Sequence, residues 1–178
     1  MPNIKINDPY VNFILKNTEG IDCSLDMEGI KPIKVIIFSC NHCPYAQAWE
    51  QRIIDIQNKY KDKGVTVIMI SSNDAESYPE DNFEKMKERH IDKKFNFNYL
   101  YDESQEVAKI YGAERTPEVF VFDDLGLLKY TGAIDDNYEN EADVTQRYLA
   151  NAIDKIIDGK KPHISSTAAV GCTIKWKS

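Results

Sequence analysis

The sequence predicts an α/β fold: a central mixed β-sheet flanked by helices, with a β-hairpin added at the N-terminus. Three observations carry that expectation. Residues 33–38 and 65–70 are short, largely apolar runs, the pattern of strands buried on both faces. Between them Ala46, Trp49, Ile53, Ile56 and Tyr60 recur at steps of three and four, which marks one face of a helix. Residues 118–123 and 127–131 are joined through Asp123-Asp124-Leu125-Gly126, a hairpin signal. A strand–helix–strand unit gives parallel neighbours with a right-handed crossover, and a hairpin gives antiparallel ones, so the sheet is mixed.

In chain order, residues 10–16 read as a strand. Glu19-Gly20 is a turn, and residues 21–25 pair back on that strand. The helix between the two apolar runs covers about 43–60 and stops at Lys63-Gly64. Residues 71–94 are polar. Pro79 with Glu80 and Asp81 is a helix start, followed by a thin stripe of Phe83, Met86 and Ile91. Residues 98–101 suit a short strand, and 103–111 a helix ended by Gly112. Asp143 is expected to cap a last helix with Val144, Tyr148, Ala152 and Ile156 on one face. Residues 158–178 form a tail without a clear pattern. No internal repeat or linker divides the 178 residues, so one domain is expected over 1–178, with its core at about 8–157.

The net charge of −7 disfavours nucleic acid and anionic lipid as partners, and the lysines are scattered among acids. The start Met1-Pro2-Asn3-Ile4-Lys5 lacks an apolar signal core, and no stretch nears the ~20 apolar residues of a membrane span. A cytoplasmic protein is the expectation. In that compartment structural disulfides are rare, and a close cysteine pair is catalytic or metal-binding.

The chain has four cysteines, and two of them form Cys40-Asn41-His42-Cys43-Pro44 where a strand gives way to a helix. Only a thiolate attacks a disulfide, and an ordinary cysteine has a pKa of about 8.5. The N–H groups and dipole of a helix N-terminus favour the anion. Pro44 fits there, because the first helical turn needs no N–H from it. His42 offers a cation beside the sulfurs. The expected roles are Cys40 as attacking thiol and Cys43 as resolving thiol, with Asn41, His42 and Pro44 as the active-site loop. The polar loop predicts a more oxidising couple than thioredoxin's. The redox-active disulfide is itself the only cofactor expected. The competing meaning of a CxxC is half of a zinc site, but zinc takes four ligands, and there is neither a second CxxC nor a close histidine pair. No metal is expected.

Taken together, these motifs resemble the thioredoxin-like superfamily on its peroxiredoxin-like side, the alkyl hydroperoxide reductase and thiol-specific antioxidant (AhpC/TSA) group. Val11-Asn12-Phe13-Ile14-Leu15 with Gly20 and Leu25 resembles the opening hairpin of those proteins. Phe38-Ser39-Cys40-Asn41-His42-Cys43-Pro44-Tyr45 resembles the active-site turn of a CxxC-bearing branch, and Thr116-Pro117-Glu118-Val119-Phe120-Val121-Phe122-Asp123 the superfamily's Thr-Pro strand. The resemblance implies a thioredoxin fold, a cis Thr116–Pro117 bond against the sulfurs, and substrate contacts at Thr116, Pro117 and, bordering the groove, Tyr45. It implies protein or small-molecule disulfides as substrates and a thioredoxin- or glutathione-type reductant as partner.

The departures from the family pattern also matter. Peroxiredoxins place a threonine three residues before the peroxidatic cysteine; here Cys43 takes that cysteine's place and Cys40 the threonine's. Arg115 is offset from their peroxide-polarising arginine. No acid lies between Lys31 and Trp49 to serve Cys43 as proton acceptor, which leaves Lys34 or a water. The leading activity is dithiol–disulfide exchange in redox homeostasis. The alternatives are a thiol peroxidase, or a metal- or partner-binding module using the CxxC. Cys172, in Val170-Gly171-Cys172-Thr173-Ile174, is either an accessory thiol or a packed residue anchored by Trp176. Cys23 reads as core, the acidic run 135–143 as a solvated loop, and His90 and His163 as non-catalytic.

Overall fold

The structure, a computed structural model, describes residues 3–178, so Met1 and Pro2 of the expected leaderless start lie outside it. Strands β1 (Leu15–Asn17) and β2 (Asp22–Cys23) form the N-terminal hairpin. Then come β3 (Ile33–Ser39), α1 (Pro44–Tyr60), β4 (Val65–Ser71), α2 (Phe83–Lys93), β5 (Asn98–Tyr101) and α3 (Glu106–Tyr111). The chain continues through β6 (Arg115–Thr116), β7 (Glu118–Phe122), β8 (Leu128–Gly132), α4 (Tyr148–Ile157) and β9 (Cys172–Thr173). Short 3₁₀ turns occupy Lys61–Lys63, Pro79–Asp81 and Glu141–Asp143.

Seven strands make one sheet in the order β2-β1-β5-β4-β3-β7-β8, and β6 pairs β9 separately. As the βαβ pattern requires, β3 runs parallel to β4; β7 lies antiparallel to β3 and to β8. Side chains on β3 alternate between two cores. Ile33, Val35 and Ile37 join the cluster that holds Trp49, Ile53, Leu149 and Ile153 of α1 and α4. Ile36 and Phe38 join the cluster on the other face, with Val107, Ala108 and Tyr111 of α3. The apolar run on β3 follows from this cover on both sides.

Three expectations change. The strand expected at 10–16 contracts to Leu15–Asn17. The backbone before it is held by single bonds instead of a ladder: Tyr10 N–H donates to Gly126 O, and the Tyr111 hydroxyl to Val11 O. Asp143 lies in a 3₁₀ turn, and α4 starts only at Tyr148. The acidic run is not wholly solvated, for Asp135 is buried and takes bonds from Trp49 Nε1 at 2.9 Å and Arg52 Nη1 at 2.8 Å. Among the described residues no helix is long and apolar enough to cross a membrane.

Candidate active site

The central strand β3 ends at Ser39, and α1 starts at Pro44, so Cys40-Asn41-His42-Cys43 spans the gap between them. Cys43 is the N-cap residue and Pro44 the first helical residue. The Thr116–Pro117 bond is cis, as the resemblance implies. It lies against both sulfurs: Cys43 Sγ–H donates to the Thr116 carbonyl at 3.2 Å, and Cys40 Sγ stands 3.6 Å from the Thr116 hydroxyl. Tyr45 packs half-buried beside the pair, with its ring 4.4 Å from that of Tyr138.

The loop between the cysteines is held from below by Asp81, which sequence reasoning missed. Asp81 is fully buried at the end of the 3₁₀ turn before α2. Its carboxylate accepts from Asn41 N–H at 2.8 Å, His42 N–H at 3.3 Å, Asn73 Nδ2 at 2.9 Å and the His42 ring. Asn41 is fixed as well. Its side chain accepts from the Tyr99 hydroxyl at 2.7 Å and donates to Glu80 O at 2.9 Å, and its carbonyl takes Gln47 Nε2 at 2.8 Å. The His42 ring stacks parallel on Tyr78. The only advance signal for Asp81 was its place in Pro79-Glu80-Asp81, which reads as an ordinary helix start. Lys34 is no proton acceptor for the pair. It sits at the other end of β3, with Nζ on Pro32 O and over the Tyr10 ring.

Neither sulfur is open to solvent: Cys40 is 1% exposed and Cys43 0%. The cover is the C-terminal tail. In β9, Cys172 faces Thr116 and Thr173 faces Arg115, an antiparallel pair at the edge expected to hold a substrate chain. Cys172 packs, partly exposed, on the cluster of Cys40, Cys43 and Ala46. Ile174 is buried, and its N–H bonds to Glu114 O. Arg115 Nη1 donates to Gly171 O at 2.9 Å.

The electrostatics set the two thiols apart. A bond from the Cys40 S–H to Cys43 pushes the Cys40 pKa up, and burial and the Asp81 charge add to it. The same bond lowers Cys43 well below the ordinary thiol range, with help from the Thr116 hydroxyl, the Ala46 N–H and Cys172. Because the helix begins at Pro44, the sulfur at its N-cap is that of Cys43, while Cys40 sits a turn earlier beside a buried carboxylate. His42, expected as a cation for the sulfurs, spends its Nδ1 on Asp81. Cys172 is pushed up to about 11 by burial and by its own bond to Cys43. Cys23 belongs to the opposite core cluster, far from this chemistry.

Ligand atoms of Cys40, His42 and Asp81 lie within 4.8 Å of one another, and their S, N and O donor types are ones that zinc accepts. The Asp81 oxygens are, however, already taken by three N–H donors and the His42 ring, bonds that a metal would displace.

The sequence pattern of the AhpC/TSA family matches residues 6–131. The chain belongs to the AhpC/TSA family. None of the curated proteins matches this family member. Among solved structures, a hypothetical protein from Sinorhizobium meliloti 1021 is similar at 32% identity and TM-score 0.92, over 99% of this chain and 98% of that one. An uncharacterized conserved protein from Geobacillus kaustophilus is similar at 36% identity and TM-score 0.91, over 99% and 95%. Peroxidoxin BcpB from Mycobacterium tuberculosis shares the fold at 17% identity and TM-score 0.62, over 88% and 96%. In this AhpC/TSA protein all four arginines have acceptors: Arg52 on Asp135, Arg89 on Glu50, Arg115 on Gly171 O and Arg147 near Glu141.

Proposed function

We propose that this AhpC/TSA protein is a thiol–disulfide oxidoreductase working through the Cys40/Cys43 couple. The observation that carries the reading is the CxxC pair at the strand–helix junction, with both sulfurs packed against the cis Thr116–Pro117 segment. When the tail lifts, Cys43 thiolate attacks one sulfur of a substrate disulfide. The substrate S–S bond breaks, a Cys43 mixed disulfide forms, and the first substrate thiolate leaves. Cys40 then gives its proton to the departed substrate thiolate and attacks Cys43 Sγ. The second substrate thiolate leaves, and the Cys40–Cys43 disulfide remains. The substrate gains two electrons and the pair loses two. A thioredoxin- or glutathione-type thiol returns them.

A peroxidase reading draws support from the family and from the anion on Cys43. Against it stand Cys40 in the place of the peroxiredoxin threonine and the offset of Arg115 from their arginine. Insulin reduction by dithiothreitol tests the main reading. Wild type should accelerate it, and Cys40→Ser and Cys43→Ser should each abolish the acceleration. Wild type no faster than these variants would sink it. Stoichiometric metal in the purified protein would favour the binding-module reading instead, and fast thiol loss with one equivalent of peroxide would favour the peroxidase.

A further inference from the structure

We infer that Cys172 is a third redox thiol of this site, taking over the disulfide of the buried pair by exchange at Cys43. The inference rests on the Cys40/Cys43 couple proposed above and extends it.

Contact comes first. Cys172 packs on the Cys40–Cys43–Ala46 cluster, and its backbone pairs with Thr116, whose carbonyl and hydroxyl touch the two sulfurs. The segment that brings Cys172 there is built for close approach. A Cβ on Gly171 would lie 2.0 Å from the Thr116 carbonyl oxygen, so only glycine lets the tail sit this near. The far side is clamped too. Lys175 N–H donates to Asn73 Oδ1 at 2.9 Å, and Lys175 O accepts from Asp74 N–H and Gln105 Nε2, both at 2.8 Å. A cysteine tethered in this way acts at high effective concentration.

Exposure comes second. Cys40 and Cys43 are sealed, whereas Cys172 is partly open. Cys172 therefore gives the buried pair an outlet that does not require the tail to leave.

The exchange balances without an outside oxidant. Starting from the Cys40–Cys43 disulfide, Cys172 thiolate attacks Cys43 Sγ. The Cys43–Cys172 bond forms, the Cys40–Cys43 bond breaks, and Cys40 leaves with the electron pair and takes up the proton that Cys172 lost. An external thiol then attacks the more exposed Cys172 sulfur, and Cys43, whose anion is the stabilised one, leaves. Charge supports the first step. In the dithiol, Cys172 is held protonated partly by the Cys43 anion. Once Cys43 is in a disulfide that repulsion is gone, while Lys175 and Arg115 still favour the Cys172 thiolate.

The test is disulfide mapping after treatment with oxidised glutathione, acid quench and alkylation. In Cys40→Ser the Cys43–Cys172 linked peptide should dominate, and most of the Cys172 alkylation should be lost. Glutathione on Cys43 with Cys172 alkylated as fully as in untreated protein would overturn the inference. Wild type in a glutathione buffer is the second measurement, in case the variant folds poorly. A Cys43–Cys172 species should appear beside Cys40–Cys43. A Cys40–Cys43 link with Cys172 fully alkylated defeats this inference alone. The absence of any Cys40–Cys43 link defeats the parent reading.

Discussion

The Asp81 carboxylate accepts the backbone N–H of Asn41 at 2.8 Å across a separation of 40 residues. This one buried acid shapes the loop between the cysteines and sets the charge beneath them. Its removal is the first prediction. Asp81→Asn should lower the Cys40 pKa, since the Asp81 charge is one of its causes. The lost charged hydrogen bonds should cost about 1–3 kcal/mol of stability. Alkylation rate against pH reads the first effect, and urea unfolding the second. An unchanged Cys40 profile would exclude the charge effect.

Alkylation of the reduced pair should begin at Cys43 and persist well below the ordinary thiol pKa of about 8.5. The linkage has a sign. Cys43 is depressed in the folded state, so its contribution to stability is full above the unfolded pKa and is lost as pH falls through the folded one. Cys40 is raised, so its contribution fades as pH climbs past the ordinary thiol range. Reduced wild type should thus grow more stable from acid toward mildly alkaline pH and then decline. Cys43→Ser should flatten the rise, as urea midpoints across pH will show.

The thiolate stabilised at Cys43 also fixes the direction of the redox potential. The couple should be more oxidising than thioredoxin's, which lies at about −270 mV. Equilibration with glutathione measures it, and a value at or below that figure would reject the electrostatic argument.

Gly171→Ala should dislodge β9, because its Cβ would meet the Thr116 carbonyl oxygen at 2.0 Å and carbon at 2.6 Å. Overpacking of this kind costs about 1–3 kcal/mol. The tail should become sensitive to limited proteolysis, and Cys43 should alkylate faster.

Asp135→Ala should be among the most damaging changes away from the cysteines. It leaves the buried Arg52 with only the exposed Glu141, 4.0 Å away, as a charge partner and removes the acceptor of Trp49 Nε1–H. Breaking a buried pair from one side costs about 3–5 kcal/mol. Urea unfolding measures it, and a loss under 1 kcal/mol would mean the Arg52 charge finds solvent.

The sequence by itself determined the parallel β3–α1–β4 unit, the β7–β8 hairpin and the position of the CxxC between strand and helix. Those features are local: apolar runs, a 3–4 repeat, and Gly64 and Gly112 in left-handed stops at helix ends. The cis Thr116–Pro117 bond was legible only through family resemblance. What the tertiary structure decided depends on groups distant in the chain. Asp81 reaches the loop because the turn before α2 folds under it, and no spacing rule links residues 41 and 81. Asp135 left the solvated run because Arg52 and Trp49 supply it with donors. The tail, patternless in sequence, closes over Thr116 and hides both sulfurs. Burial and hydrogen-bond donation set thiol acidity here, and both depend on packing between segments that no local pattern encodes.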